Sequence, residues 1–260
     1  MDMHLRDKIA VVTGASKGIG LAICQAFAAA GAYVVAGARH NSPELQDLEA
    51  DGWATFVAVD LATADGPTTL VATAAEQGRV DILVNNAGTV VPHMGGFVTV
   101  TDDDWNAALS LGLMSAVRTT RAAIPHMLEH GGSIITIGSV NSVLPDPSII
   151  DYTATKAALA NLTKGLSKEF GPNGIRANTI SPGPVSTDLW LGTGGMAAQV
   201  GAASGSSPED VVKSVGAAAA TGRFTTPREV ADLAVFLASD RSANITGSDI
   251  RIDGGYVTTL

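Results

Sequence analysis

The chain has 260 residues, of which 46% are apolar and 16% are charged. This composition supplies a sizeable core and excludes an intrinsically disordered protein. A formal net charge of -9 argues against a nucleic-acid partner, because neutralising phosphates requires a basic face. The single cysteine, Cys24, excludes an intrachain disulfide, fits a reducing compartment and is expected to be a small buried hydrophobe.

The start of the chain and its hydropathy predict a soluble, cytoplasmic protein. Residues 1–8 lack the apolar core of a signal peptide. No apolar run approaches the roughly 20 residues that span a bilayer, so no membrane partner is expected. A metal site is not expected either, because the histidines lack metal-site spacing and cysteine companions. These histidines are His4, His40, His93, His126 and His130.

Short β-branched runs alternate with Ala/Leu-rich segments, a pattern typical of βαβ units in a parallel sheet. Several runs are continuously apolar, as expected of strands covered by helices on both faces. The length favours one α/β domain over residues 1–260 rather than two. The predicted strands cover residues 9–12, 33–36, 55–59, 82–84, 133–137, 175–180 and 249–252.

The predicted helices fill the gaps between the strands. Thr101 before three aspartates is a good N-terminal cap with acids in the first turn. A stretch rich in Gly, Ala and Ser, residues 192–220, reads either as a flexible linker or as a flap over a site. We favour a mobile flap over about residues 188–222, because the stretch lies between a ligand loop and further core structure. The helices are predicted at residues 19–30, 68–77, 103–129, 152–170 and 227–238.

Three glycines, Gly14, Gly18 and Gly20, follow the first strand and open the first helix. A strand-to-helix turn of this kind lets the backbone approach a dinucleotide and places its pyrophosphate at the helix N-terminus. A plain turn is the alternative interpretation. The spacing is Gly-x3-Gly-x-Gly, which differs from the GxGxxG of the two-domain dehydrogenases.

The end of the second strand carries Ala38 and Arg39, where an NAD-preferring site usually places an acid. Lys17 lies within the glycine loop. Two cations and no acid suit a 2′-phosphate, so NADP(H) is favoured over NAD(H). Each cation taken singly could be a solvated surface charge.

Polar residues also follow two other strands. Asp60 follows the third strand, and residues 85–88 (Asn-Asn-Ala-Gly) follow the fourth. In an open α/β sheet the ligand crevice lies at the carboxyl ends of the strands, so both groups are candidates for that crevice. A helix cap at Asp60 and a simple turn at residues 85–88 are equally compatible with the spacing.

Tyr152 and Lys156 stand four residues apart on a predicted helix, and Ser139 follows the fifth strand. The i, i+4 spacing puts a phenol and an ammonium on one helical face. A nearby cation favours the phenolate, so we expect Lys156 to make Tyr152 a better acid. The set predicts a redox enzyme that moves a hydride and a proton.

With these residues in hand, the chain closely resembles the classical short-chain dehydrogenases/reductases from residue 8 to about residue 257. The resemblance implies a Rossmann fold, with a doubly wound seven-stranded parallel sheet flanked by helices, and a homotetramer or homodimer. The motifs that carry it are residues 13–20, Asp60, residues 85–88, Ser139, Tyr152 with Lys156, residues 181–187 and residues 252–255.

The resemblance also implies roles for individual residues. Tyr152 would be the general acid/base, Lys156 would also bind the nicotinamide ribose, and Ser139 would hydrogen-bond the reacting oxygen. The implied reaction is hydride transfer between NADP(H) and a carbonyl or secondary alcohol, in a pattern nearest to 3-oxoacyl-thioester reductases. The implied cofactor-binding residues are Gly14, Ser16, Lys17, Gly18, Ile19, Gly20, Arg39, Asp60, Leu61, Asn86, Ala87, Gly88, Tyr152, Lys156, Pro182, Gly183, Val185 and Thr187.

One position departs from the family pattern. Gly112 stands where the family usually has an asparagine that supports a helix kink and a water relay behind the lysine. Either the glycine carbonyl keeps the relay in a slower or narrower enzyme, or the position is tolerant and has drifted. A cofactor-binding sensor or scaffold with weak or no catalysis is therefore an alternative, and dehydration or epimerisation is a third possibility.

The expected substrate is a small carbonyl or alcohol with apolar substituents, because the candidate pocket residues are largely apolar. About half of them are equally expected to be core residues. The sequence shows no decisive basic patch for docking an acidic acyl carrier protein. Arg118 and Arg121, which lie on one predicted helix, are the only suggestion of such a patch. The candidate pocket residues are residues 90–94, residues 140–144, Leu189, Trp190, Leu191 and Met196.

Overall fold

Seven parallel strands form one sheet in the computed structural model, which describes residue 3 and residues 5–259. His4, one of the histidines considered as a metal ligand, lies outside the described residues. The predicted seven-stranded parallel sheet is confirmed, with strand order β3-β2-β1-β4-β5-β6-β7. The strands are β1 Ile9–Thr13, β2 Tyr33–Ala38, β3 Ala54–Ala58, β4 Ile82–Asn85, β5 Gly132–Ile137, β6 Ile175–Pro182 and β7 Asp249–Ile252.

The strand order reverses direction at β1. Val11 of β1 pairs with Val35 of β2 on one side and with Leu83 of β4 on the other. Chain connections leave β1 and β4 toward opposite edges of the sheet, which opens a crevice beyond their carboxyl ends. Every predicted strand is present. The strands were recognisable because a parallel sheet with helices on both faces favours continuous apolar, β-branched runs.

Helices cover both faces of the sheet, so two apolar layers are sealed from water. Phe27 of α1 and Val230 of α10 belong to one buried cluster, and Leu70 of α3 and Ala123 of α5 belong to the other. The helices are α1 Gly18–Ala29, α2 Pro43–Ala50, α3 Gly66–Glu76, α4 Asp102–Leu109, α5 Ser115–Ala123, α6 Ile150–Phe170, α7 Asp188–Leu191, α8 Met196–Ser204, α9 Pro208–Ala218 and α10 Pro227–Ala238.

The helix predicted over residues 103–129 forms, but it contains a π-helical turn and ends earlier than predicted. Helix α4 ends at Leu109, a π-helical turn occupies Ser110–Met114, and α5 ends at Ala123. A short 3₁₀ turn containing Pro125 follows, because proline has no N–H to continue an α-helix. Thr101 caps α4 as predicted, in a capping box with Asp104.

Four helices, α2, α7, α8 and α9, were absent from the sequence prediction, and two of them begin with a clear local signal. Helix α2 is capped by Ser42 and helix α9 by Ser207, and each has proline and an acid in its first turn. A capping serine followed by proline and glutamate is a helix-start signal that could have located both. The segment 192–220 is thus largely helical, with α8 as well as α9, rather than irregular.

None of the helices in the described part of the chain is both long and apolar enough to cross a membrane.

Candidate active site

The glycine-rich turn lies between β1 and α1. Gly14 and Gly18 have φ of +65° and +55°, a left-handed conformation that favours glycine. A Cβ on Gly20 would lie 2.2 Å from the Gly14 carbonyl oxygen, so only glycine allows this close packing. The N-cap residue Lys17 makes no side-chain cap, and the first turn of α1 holds no acid. The first N–H groups are therefore available to an anion, which fits a dinucleotide pyrophosphate.

Thr13 braces this turn against the end of β4. Its hydroxyl donates to the Val84 carbonyl at 3.1 Å and accepts from the backbone N–H groups of Asn86 and Ala87. The Asn86 side chain in turn donates to the carbonyls of Thr13 and Gly14, at 3.0 and 3.1 Å. This role of Thr13 was not predicted from the sequence. The only available signal was a hydroxyl at the last position of β1.

The adenosine end of the cleft is bordered by the end of β2. Ala38 is the last residue of β2, and Arg39 follows it with an exposed side chain. Lys17 is also exposed, and within the described part of the chain neither cation has an acidic partner within 4.0 Å. Asp60 is exposed and closes a turn by accepting from the Ala62 N–H at 2.9 Å. The Leu61 side chain is buried in the core, so only its backbone can border the cleft.

The opposite wall of the cleft begins where β6 ends at Pro182. Gly183 packs so closely on Asp253 that a Cβ on the glycine would lie 2.9 Å from the Asp253 Cβ. Val185 is buried and pairs with Thr225. Thr187 reaches the glycine turn, since a Cβ built on Gly18 would lie 3.3 Å from the Thr187 Cγ2. The two predicted halves of the cofactor site therefore meet. Ser16 and Ile19 lie between them in the glycine turn and are partly buried.

The structure brings the three predicted catalytic residues to the same end of the sheet. Ser139 follows β5, and Tyr152 and Lys156 lie on successive turns of α6. The Lys156 ammonium donates to the Ile137 carbonyl at 2.8 Å and lies 5.5 Å from the centre of the Tyr152 ring. Gly88 borders this ammonium, because a Cβ on the glycine would lie 3.7 Å from the Lys156 Nζ.

Burial sets the acidities of this pair. It lowers the pKa of Lys156 to about 8, because the ammonium is taken out of water. Burial also raises the pKa of Tyr152, while a hydrogen bond with Ser139 lowers it by less. The expected direction for Tyr152 was the opposite. The net shift of the Tyr152 pKa is upward because desolvation of the phenol is the largest effect.

The Ser139 hydroxyl is held by Asn141, two residues further along. It donates to the Asn141 Oδ1 at 3.0 Å and accepts from the Asn141 backbone N–H at 3.1 Å. The Asn141 Nδ2 donates to the Leu144 carbonyl, which fixes the orientation of the amide. When the Ser139 hydroxyl turns from Asn141 to Tyr152, it donates to the phenol oxygen, which is the direction that lowers the pKa of Tyr152. From the sequence, residue 141 is only a pocket candidate, so its contact with Ser139 is not predicted.

Gly112 lies in the π-helical turn and packs against α6. A Cβ on Gly112 would lie 2.5 Å from the Cγ2 of Thr155, the residue before Lys156. The Thr155 hydroxyl donates to the Asp151 carbonyl at 2.8 Å, which fixes the rotamer of that side chain. A side chain at residue 112 would therefore require the Thr155 methyl group to move.

The candidate pocket residues divide into core and surface. Val140 and Met196 are buried, as expected for some of them, and Trp190 makes an edge-to-face contact with Phe224 at 5.4 Å. Cys24 is also buried as predicted, and burial raises the pKa of its thiol. Exposed apolar side chains remain on three segments near the carboxyl ends of the strands. They are Val91, Met94, Val143, Leu144, Leu189 and Leu191.

Comparison with known proteins agrees with this arrangement. A family model described as enoyl-(acyl carrier protein) reductase matches residues 14–257, which is nearly the whole chain. A 3-oxoacyl-(acyl-carrier-protein) reductase of Thermotoga maritima is 32% identical, over 98% of this chain and 100% of its own length. The chain belongs to the short-chain dehydrogenase/reductase family. The predicted family and its ketoreductase-like character are confirmed.

The names of two other similar proteins give a polyol or a sugar as the substrate. D-threitol dehydrogenase of Mycolicibacterium smegmatis is 36% identical, over 98% of this chain and 95% of its own length. L-sorbose reductase of Gluconobacter frateurii, solved in complex with NADPH and L-sorbose, is 36% identical with a TM-score of 0.91, and the match covers 100% of both chains. The chain is therefore related over its whole length to oxidoreductases of small molecules.

Proposed function

We propose that the chain is an NADP(H)-dependent oxidoreductase that interconverts a carbonyl and a secondary alcohol. The observation that carries this proposal is the meeting of Ser139, Tyr152 and Lys156 beside the dinucleotide cleft. A proton donor and a fixed cation stand at the end of the sheet where a glycine-rich turn can hold a dinucleotide.

Tyr152 is the proposed proton donor in carbonyl reduction. Its raised pKa keeps the phenol protonated at neutral pH, so that it can donate to the carbonyl oxygen. NADPH supplies the hydride when bound. The Lys156 ammonium stabilises the phenolate left after proton transfer, since its pKa of about 8 keeps most of its charge at pH 7. The Ser139 hydroxyl, once turned from Asn141, would donate to the substrate oxygen and help to stabilise the negative charge that develops there.

The proposed cofactor preference depends on Arg39 and Lys17. Both side chains are exposed at the adenosine end of the cleft, and no carboxylate occupies the end of β2. Cations without an acid suit a 2′-phosphate, whereas an acid would select the ribose hydroxyls of NAD(H). The NADPH complex of the related L-sorbose reductase supports this assignment.

We propose a substrate with apolar substituents beside the reacting carbonyl. The support is the group of exposed apolar side chains that includes Val91, Met94 and Leu144. A small sugar or polyol is the second candidate, because the names of two relatives point to that class. The hydroxyl and amide groups of Ser139 and Asn141 could bind such a substrate.

Three further features belong to the proposal. The segment 188–222 acts as a mobile flap, since Leu189 and Leu191 are exposed on its first helix, beside Thr187.

The protein is cytoplasmic. It assembles as a homotetramer or homodimer, because Ala154 and Ala157 leave small exposed side chains on α6 where another helix can approach closely.

A substrate screen with NADPH and NADH in parallel tests the proposed function. It should include apolar ketones, 3-oxoacyl thioesters and ketoses, with NADPH oxidation followed by absorbance and products identified by mass spectrometry. We expect turnover of at least one class, and faster turnover with NADPH. Binding of NADPH without turnover of any class would favour a cofactor-binding sensor or scaffold instead, and dehydrated or epimerised products would indicate the third possibility.

A further inference from the structure

A buried contact between a histidine and a carboxylate lies directly beside Tyr152. His93 belongs to the loop after β4, and Asp151 lies in the first turn of α6, immediately before Tyr152. The His93 Nε2 is 3.2 Å from the Asp151 Oδ2. The two side chains are only 9% and 6% exposed. This contact joins two segments that are 58 residues apart.

Asp151 uses both carboxylate oxygens. Its Oδ1 accepts from the Tyr152 backbone N–H at 2.8 Å, and its Oδ2 faces His93. A second hydrogen bond joins the same segments, in which the backbone N–H of His93 donates to the Ser148 carbonyl at 2.6 Å. The loop after β4 is thus fastened at two points to the turn that leads into the Tyr152 helix.

Burial makes this contact necessary. A carboxylate out of water is strongly destabilising unless it is paired and hydrogen-bonded. Within the described residues, His93 is the only basic side chain within 4.0 Å of Asp151. Without His93, the Asp151 carboxylate would turn toward water and release its bond to the Tyr152 N–H. Asp151 is covalently joined to Tyr152, so this movement shifts the phenol.

We propose that His93 is a positioning residue for Tyr152, acting through Asp151. The pair fixes the first turn of α6 relative to the loop that borders the reacting carbonyl, and so sets where the Tyr152 hydroxyl lies. A displacement of about 1 Å at a reacting group can lower a rate by as much as 100-fold, so the expected effect is on kcat. This inference rests on the proposed function.

The test compares His93→Gln with His93→Leu, two side chains of similar size. The glutamine amide can donate to Asp151, whereas leucine leaves the carboxylate without a partner. With NADPH and a ketone turned over by the unmodified protein, we expect kcat to fall about 10-fold in His93→Leu and to stay within about 3-fold in His93→Gln. The KM for NADPH should change by less than about 2-fold. His126→Ala, on an exposed turn after α5, is the matched control and should leave kcat unchanged.

Melting temperatures separate positioning from a general loss of stability. A merely structural contact would lower the melting temperature of His93→Leu and leave the kcat of the folded enzyme unchanged, and that result overturns the inference. Equal kcat values for the glutamine and leucine variants overturn it too. If His93→Leu does not fold, His93→Asn replaces it, because its shorter amide cannot reach Asp151.

The proposed function and this inference fail in different ways. Absence of NADPH turnover in the unmodified protein refutes the proposed function. Turnover in the unmodified protein, with no difference between His93→Gln and His93→Leu, refutes only the positioning role.

Discussion

Gly112 and Thr155 pack so closely that a side chain at residue 112 would have to displace the Thr155 methyl group. The Cβ position of Gly112 lies 2.5 Å from the Thr155 Cγ2, and the Thr155 hydroxyl is bonded to the Asp151 carbonyl on the same helix. Gly112 is itself buried in the π-helical turn between α4 and α5. The contact therefore sets how closely this turn approaches the helix that carries Tyr152 and Lys156.

Gly112→Ala should destabilise the fold. Overpacking a core typically costs about 1–3 kcal/mol, which exceeds the gain of about 1 kcal/mol in helix propensity when alanine replaces glycine. Denaturant unfolding and turnover measure the effect. Gly112→Ala/Thr155→Ser is the matched control, because serine removes the clashing methyl and keeps the bond to Asp151. We expect it to recover most of the lost stability, and no loss in Gly112→Ala would show that the contact is not tight.

Gly112→Asn is expected to lower turnover for the same reason. The asparagine side chain would displace Thr155 and with it the neighbouring Lys156. Turnover is measured with NADPH and the best ketone, with and without Thr155→Ser in the same chain. An increase in rate in the single variant would indicate that the missing asparagine, rather than this packing, limits proton transfer.

The rate of carbonyl reduction should fall as pH rises through about 8. The pKa of Lys156 is lowered to about 8, so its charge is present below that pH and lost above it. The pKa of Tyr152 is raised, so the phenol remains protonated across this range. The measurement is kcat for reduction between pH 6 and 10. Lys156→Arg should remove the fall near pH 8 from whatever activity remains, because arginine keeps its charge. A rate that rises through pH 8 would contradict the assignment.

Arg39→Ala and Lys17→Ala should each raise the KM for NADPH and leave the KM for NADH nearly unchanged. A charge-assisted hydrogen bond contributes about 1.5–3 kcal/mol, which corresponds to roughly 10- to 100-fold in affinity. Initial rates with both cofactors measure the effect. Arg228→Ala, an exposed arginine paired with Asp232 on α10, is the control. Equal losses with NADPH and NADH would show that neither cation recognises a 2′-phosphate.

Much of the fold could be predicted from the sequence. The strands are continuous β-branched runs, and the turn after β1 is marked by glycines that the packing requires. Helices α2 and α9 begin with a serine, a proline and an acid, so local signals for them were present. Local patterns are readable because they depend on backbone preferences within one segment.

The contacts that shape the candidate site could not be predicted in this way. His93 meets Asp151 across 58 residues, and Thr13 braces the backbone of Asn86 across 73. Gly112 could be recognised as a departure from the family pattern, but not as a contact of Thr155. Such pairs depend on how separate elements pack, and so does the burial that raises the pKa of Tyr152.

The most direct test of the account compares Tyr152→Phe with the unmodified protein, using NADPH and the best ketone from the screen. Phenylalanine keeps the ring and removes only the proton donor. We expect kcat to fall at least about 100-fold, the lower end for loss of a general acid, while NADPH still binds with an affinity within a few-fold of the unmodified protein. A Tyr152→Phe variant that keeps most of its kcat would contradict the assignment of Tyr152 as the proton donor.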